Sequence, residues 1–210
     1  MLSIDELFPR VLPYVPGCSE PLARQAILDS AIEFCDKTSI LTQTLDAFST
    51  VSGLVSYDLE TPNRQMKVAR VLAVTIDGKE IKGTFTEDVP TLPDREGQPT
   101  SFYTTRIDSE FVLNLHPLPD DKYSVITTVA LSPTVSATSL EDELITVWSD
   151  GIVDGAIARI ARVPNQPFSS FDVAMLYTQS SARKIAAIKA ESYQGRIRGG
   201  TRIKTRPLVR

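Results

Sequence analysis

Residues 68–81 read VARVLAVTIDGKEI and decide the fold of the middle of the chain. The first nine of them are β-branched and apolar enough for a buried strand. Asp77-Gly78 then gives the strongest short-range hairpin signal, because a type I′ turn needs positive φ at both central residues. Glu80 and Ile81 begin the returning strand. The stretch therefore predicts antiparallel β-structure.

Strand signals continue on both sides of this hairpin. Apolar and polar residues alternate from Leu41 onward, and residues 55–59 form a short strand that ends before Pro62. Three further strands are predicted at residues 102–107, 111–115 and 123–131. About six antiparallel strands are therefore expected between Leu41 and residue 135.

Helical signals lie outside this region. Ser3 and Glu6 form a capping box for a short first helix. Ser19 is the predicted N-cap of a longer helix that ends near Thr38. Two more helices are predicted after residue 138, the last of them over residues 170–193.

These signals together predict an α+β fold. A discontinuous helical bundle is expected over residues 1–40 and 138–194, interrupted by an antiparallel β-domain over residues 41–135. Glycines and Pro207 discourage helix beyond that point, so residues 195–210 are expected to form an extended basic C-terminal arm.

The charge is distributed unevenly along the chain. The sequence holds 22 basic and 26 acidic residues, a net charge of -4. The last 28 residues, from Arg183 on, carry nine basic groups and one acid, a charge of +8, which leaves -12 for the first 182 residues. An acidic body with a basic end indicates that the end binds a separate partner.

The arm, residues 195–210, is the candidate binding segment. From Arg202 to Arg206 cations alternate with Ile203 and Thr205, so an extended chain places three cations on one face. Three readings stay open: an anchor on another protein, a nucleic-acid contact, or an inert terminus. The nucleic-acid reading is weakened because no aromatic residue that could stack on a base follows Tyr193. The candidate binding residues are Arg196, Arg198, Arg202, Ile203, Lys204, Arg206 and Arg210.

Residues for catalysis or metal binding are scarce. His116 is the single histidine, and Cys18 and Cys35 are seventeen positions apart, which matches no zinc or redox spacing. The sequence contains no phosphate-binding loop, dinucleotide fingerprint or nucleophile elbow. The protein is therefore predicted not to be an enzyme and to use no cofactor and no metal. With no apolar run long enough for a membrane span and no signal peptide, it is expected to be soluble and intracellular.

A family resemblance rests on four segments. They are residues 4–18 (IDELFPRVLPYVPGC), 31–38 (AIEFCDKT), 57–59 (YDL) and 71–78 (VLAVTIDG). In these segments the chain resembles the head-to-tail adaptor (connector) proteins of tailed bacteriophages. The similarity is sharpest over residues 4–80. Beyond them it is limited to the layout of helical and β segments along the chain.

The resemblance implies a structural virion protein at the head-tail junction, made in the host bacterial cytoplasm. Such adaptors form a homo-oligomeric ring, commonly of twelve copies, beneath the capsid portal, and they bind the tail nozzle or tube protein below. They keep the channel continuous for genome ejection, so DNA passes without specific recognition, and no membrane is involved. The arm would then be the portal-binding element. The alternative is a cytoplasmic nucleic-acid-binding or assembly factor that uses the same arm.

Overall fold

A computed structural model of the chain describes residues 1–61, 63–84, 95–107 and 110–196. The α-helices are α1 (Phe8–Val11), α2 (Glu20–Thr38), α3 (Asp142–Thr146), α4 (Ser149–Ala161) and α5 (Phe171–Arg196). The strands are β1 (Leu2–Ser3), β2 (Thr42–Thr44), β3 (Phe48–Ser49), β4 (Ser56–Asp58), β5 (Met66–Ile76), β6 (Lys79–Gly83), β7 (Ser101–Ile107), β8 (Glu110–His116), β9 (Ser124–Pro133) and β10 (Ser139–Leu140). Two 3-10 turns, Ile4–Leu7 and Leu12–Tyr14, flank α1.

Eight of the strands form one sheet. Its order is β2-β9-β5-β6-β7-β8-β4, and β3 pairs with β9. The pairs are antiparallel except for β6 with β7, which is parallel. The sheet curls into a half-barrel. β1 and β10 form a separate antiparallel pair, which joins the start of the chain to the segment before α3.

The hairpin predicted at Asp77-Gly78 is confirmed. Asp77 has φ 48° and Gly78 has φ 79°, and the flanking residues Ile76 and Lys79 pair across the two-residue turn. The Asp77 carboxylate also accepts a hydrogen bond from the backbone N–H of Ser124 at 2.9 Å. The turn is therefore fixed both by its own dihedral angles and by a contact with β9.

Most of the buried apolar side chains belong to one core that helices and sheet share. α2 contributes Ile27 and Phe34, and β5 and β9 contribute Met66 and Leu131. The opening segment adds Phe8 and four side chains that are each at most 1% exposed, Ile4, Leu7, Val11 and Val15. The buried members of a second cluster all come from strands, and they include Val74, Phe102 and Leu115.

The predicted fold class, a discontinuous helical bundle with an inserted antiparallel β-domain, is wrong. The chain forms a curled eight-stranded half-barrel sheet with helices packed against it. β5 and β9 pair along most of their length, from Met66 opposite Pro133 to Ile76 opposite Val125. Near the Met66 end these strands share a core with α2, whereas Val74, Ile76 and Val125 lie in the second cluster. The sheet therefore has an apolar cluster of its own and is not a small insertion in a helical bundle.

The predicted helix limits agree in part with the structure. α2 begins after Ser19, which has an extended backbone, and ends at Thr38, where Ser39 takes the left-handed conformation with φ 49°. The helix predicted after residue 138 is instead divided into α3 and α4. Between them the Trp148 indole N–H donates to the Glu143 carboxylate at 3.2 Å, and the backbone N–H of Trp148 bonds the Glu143 carbonyl at 3.3 Å. These contacts hold the bend between the two helices.

Candidate functional site

α5 is the element that leads to the predicted arm, and polar contacts fix it against α4. Lys184 Nζ forms an ion pair with Asp154 Oδ2 at 2.6 Å, and the Ser180 hydroxyl donates to the same oxygen at 2.6 Å. Asp154 is only 7% exposed, so both donors compensate a carboxylate that is largely removed from water. The Ser181 hydroxyl donates to the Gly151 carbonyl at 3.2 Å.

Two glycines let α4 approach α2 closely. A Cβ at Gly151 would lie 2.7 Å from a ring carbon of Phe34, and one at Gly155 would overlap the Ser30 hydroxyl. The Ser30 hydroxyl is buried and donates to the Ile152 carbonyl at 2.7 Å. Glycine is therefore required here by space, because any larger side chain would push the two helices apart.

A charged groove lies between α2, α4 and α5. Glu33 accepts hydrogen bonds from Lys37 and from Arg159. The hydrogen bond from Lys37 is the main cause that lowers the pKa of the Glu33 carboxyl, Arg159 adds to it, and partial burial opposes both. Arg162 donates to the Thr178 hydroxyl at 2.7 Å at the same groove. The carboxyl is thus held ionised and acts as a link between helices, not as a proton donor at neutral pH.

The outer side of α5 carries apolar residues in contact with solvent. Phe171, Met175 and Leu176 are exposed in the first two turns, and further along the helix the exposed apolar residues are alanines. The large exposed side chains are neighbours on one helix, and such patches commonly mark interaction surfaces. This face is therefore a candidate interface.

The structure describes only the beginning of the predicted arm. Gly195 and Arg196 are the last residues of α5, so the helix continues two residues into the range predicted to be extended. The other candidate binding residues, Arg198, Arg202, Ile203, Lys204, Arg206 and Arg210, lie outside the described residues. Their assignment stays a prediction.

The exposed face of α5 was not predicted from the sequence. Its signal was present, since Phe171 and Met175 are four apart and alanines recur at helical spacing from Ala182 on. The same spacing also describes a buried helix face, so the pattern alone could not show which side of α5 is free.

The two cysteines and the histidine considered for catalysis lie in environments that do not favour a reactive site. Cys35 is buried and Cys18 is half-buried, and burial raises the pKa of both thiols, which disfavours the reactive thiolate. His116 is half-buried at the end of β8, before a cis peptide bond to Pro117. Within the described ranges no group of three or more His, Cys, Asp or Glu residues could hold a metal ion. The expectation that the protein is not an enzyme stays a prediction.

A groove lies where the two ends of the curled sheet approach each other. It has a volume of about 390 Å³ and is lined by residues 43–48, which run from β2 to the start of β3, and by residues 58–61, which begin at the end of β4. Next to it the rings of Phe48 and Tyr57 lie 5.2 Å apart between centroids. Among the described residues, the lining includes three carboxylates, Asp46, Asp58 and Glu60, and no histidine, cysteine or lysine. Its chemistry does not resemble a nucleophile with a base.

Comparison with known proteins adds no assignment. No protein-family model matches the sequence, and no curated protein matches it. In the part of the chain that the structure describes, the helices are too short or too polar to cross a membrane.

Proposed function

We propose that the protein is a structural virion protein that forms a ring, joins the capsid portal to the tail, and continues the DNA channel. The resemblance of residues 4–80 to head-to-tail adaptors motivates this proposal. Much of the opening segment that carries the resemblance is buried, with Ile4, Leu7, Val11 and Val15 in the main core. The segment therefore belongs to the packed body of the protein.

The observation that carries the proposal is the way α5 leads to the arm. α5 is held to α4 by the Lys184–Asp154 ion pair and by the Ser181 hydrogen bond, and it ends at Arg196. The most basic part of the sequence follows directly. A binding segment attached to a firmly packed helix passes force to the core of the subunit, which a joint between capsid and tail requires.

The charges of the arm suit a docking element. Arg202, Lys204 and Arg206 would pair with acidic groups on the portal protein and set the register, and Ile203 would fill an apolar pocket. The body, at -12 over the first 182 residues, repels the DNA backbone and so favours unhindered passage through a channel. The tail nozzle or tube protein would bind on the side away from the portal.

The test measures binding to the portal protein that the same virus encodes. The variants are a chain truncated after Arg196, the triple variant Arg202→Ser/Lys204→Ser/Arg206→Ser, and Ile203→Ala. The truncated chain should keep its circular dichroism and melting temperature and lose portal binding. The triple variant should associate more slowly than Ile203→Ala, and association of the full chain should slow as salt rises. Native mass measurement with the portal present should show a ring of about twelve copies.

Two outcomes would overturn the proposal. One is a truncated chain that binds the portal with unchanged affinity. The other is a full chain that ignores the portal and shifts DNA at moderate salt, with the shift lost on truncation. The second outcome would support the alternative, a nucleic-acid-binding or assembly factor.

A further inference from the structure

The exposed face of α5 has a regular composition. Phe171, Met175 and Leu176 are 77%, 44% and 63% exposed, although large apolar side chains on a helix usually face a core. One line of exposed residues runs along this face at spacings of three and four and is named here the α5 stripe: Phe171, Met175, Gln179, Ala182, Ala186 and Ala190. The six members of the line are uncharged, and in the middle of the line Ala182 also borders the charged groove between α2, α4 and α5.

The side chains of two antiparallel copies of the α5 stripe are complementary in size. Its bulky members lie in the first half of the helix and its alanines in the second half. A second α5 placed antiparallel, with a two-fold axis between Gln179 and Ala182, brings Met175 opposite Ala186 and Phe171 opposite Ala190. Large residues then face small ones along the whole contact, which is the arrangement that lets two helices pack closely.

The charges beside the stripe favour the same orientation. Asp172 lies in the first turn of α5, and Arg183 and Lys189 lie in its second half; all three are exposed. An antiparallel pair brings the acidic start of one helix alongside the basic half of the other. A parallel pair would bring like charges together, and it would also align the helix dipoles unfavourably.

We propose that the α5 stripe is a self-association surface through which two copies of this chain form an antiparallel two-fold dimer. This inference goes beyond the proposed function. A two-fold contact closes on itself, whereas a ring is built from contacts between two different surfaces, so the dimer is a state of the protein away from the portal. One helix pair covers less than the roughly 1,600 Å² of a standard interface, so the dimer should be weak and depend on concentration.

The first test compares two neighbouring alanines by sedimentation velocity. Ala186 lies in the α5 stripe; Ala187 is also exposed but points about 100° around the helix. Wild type and Ala187→Glu should change from monomer to dimer mass as concentration rises. Ala186→Glu should raise the dimer Kd by about tenfold or more, because a carboxylate would be buried without a partner.

The second test identifies the two-fold axis by disulfide formation. In a Cys18→Ser background, Ala182→Cys should form a covalent dimer on mild oxidation, because two copies of position 182 lie near the axis. Ala187→Cys should not form one. The remaining native thiol, Cys35, is buried and leaves the assay undisturbed.

The inference fails if the wild-type chain stays monomeric up to high concentration, or if both glutamate variants weaken association equally. Association without a disulfide in Ala182→Cys also overturns it, since the contact would then join different surfaces. Portal binding is measured separately and depends on the arm, so Ala186→Glu should still bind. If the full-length wild-type chain forms the dimer but does not bind the portal, the proposed function is wrong and the dimer inference stands.

Discussion

Gly155 on α4 meets Ser30 on α2 so closely that a Cβ at Gly155 would overlap the Ser30 hydroxyl. That hydroxyl is already engaged, since it donates to the Ile152 carbonyl at 2.7 Å. Neither residue can change size without a response from the other. Three helices converge at this point, because the Ser181 hydroxyl of α5 would lie 3.3 Å from the same Cβ.

Gly155→Ala should therefore destabilise the protein. Overpacking typically costs about 1–3 kcal/mol, and it outweighs the gain in helix propensity from glycine to alanine, about 1 kcal/mol. Denaturant unfolding measures the change. In the double variant Gly155→Ala/Ser30→Ala the overlapping hydroxyl is absent, so its loss of stability should be smaller than the sum of the two single losses. Additive losses would show that the overlap does not exist.

The ion pair between Asp154 and Lys184 should contribute to the attachment of α5. Lys184→Met keeps the length of the side chain and removes its charge, leaving the buried Asp154 carboxylate with the Ser180 hydroxyl alone. The expected loss is about 1–3 kcal/mol in unfolding free energy, since Lys184 is partly exposed. Lys189→Met, an exposed change on the same helix, should alter stability by less than about 0.5 kcal/mol. Equal effects of the two variants would contradict this reading.

Acid should weaken the link between α2 and α4 through Glu33. Lys37 and Arg159 hold the pKa of this carboxyl below its ordinary value of 4.5, so its contribution is present above that pH and is lost as pH falls through the lower folded pKa. The stability difference between wild type and Glu33→Gln should be largest near pH ~7 and should shrink as the pH falls below that ordinary value. Urea unfolding at a series of pH values measures it.

A matched variant separates this effect from general acid unfolding. Lys37→Met removes the main cause of the lowered pKa, so its stability should depend less on pH in the same range. A constant difference between wild type and Glu33→Gln at all pH values would show that Glu33 acts through packing and not through its charge.

The turn at Asp77-Gly78 should tolerate no β-branched residue at its second position. Gly78 has φ 79°, a conformation that strains a side chain even though the surrounding space is open. Gly78→Val should lower the free energy of unfolding by roughly 1–3 kcal/mol. Lys79→Val, one residue later and in β6, is the control and should change stability little. Unchanged melting of Gly78→Val would contradict the type I′ assignment.

Local chemistry explains which parts of the fold the sequence could predict. The Asp77-Gly78 turn and α2 (Glu20–Thr38) depend on conformational preferences within a few residues, so both were predicted, although the Ser19 side chain makes no capping hydrogen bond. The fold class depends on distant contacts. The parallel pairing of β6 with β7 and the core shared by α2, β5 and β9 have no local signature, and the predicted bundle was therefore wrong.

Of the two candidate binding surfaces, the arm could be predicted from the sequence and the α5 stripe could not. The arm was predicted because charge can be counted along the sequence, whereas its contacts depend on a partner. The α5 stripe could be recognised only once Ala174 and Ser181 were known to face the core, because these two residues define the opposite side of the helix as free. Periodicity shows that a helix has an apolar face, but it does not show whether that face packs on the core or is exposed to solvent.

The two ends of the curled sheet have a consequence for the behaviour of the protein at high concentration. β2 and β4, which terminate the strand order, are three residues long each. A foreign strand would find few unpaired backbone groups along edges of this length, and the rings of Phe48 in β3 and Tyr57 in β4 are in contact with each other. Crowded copies of the chain should therefore resist polymerising into fibres through these two terminal edges, even though the sheet itself is left open.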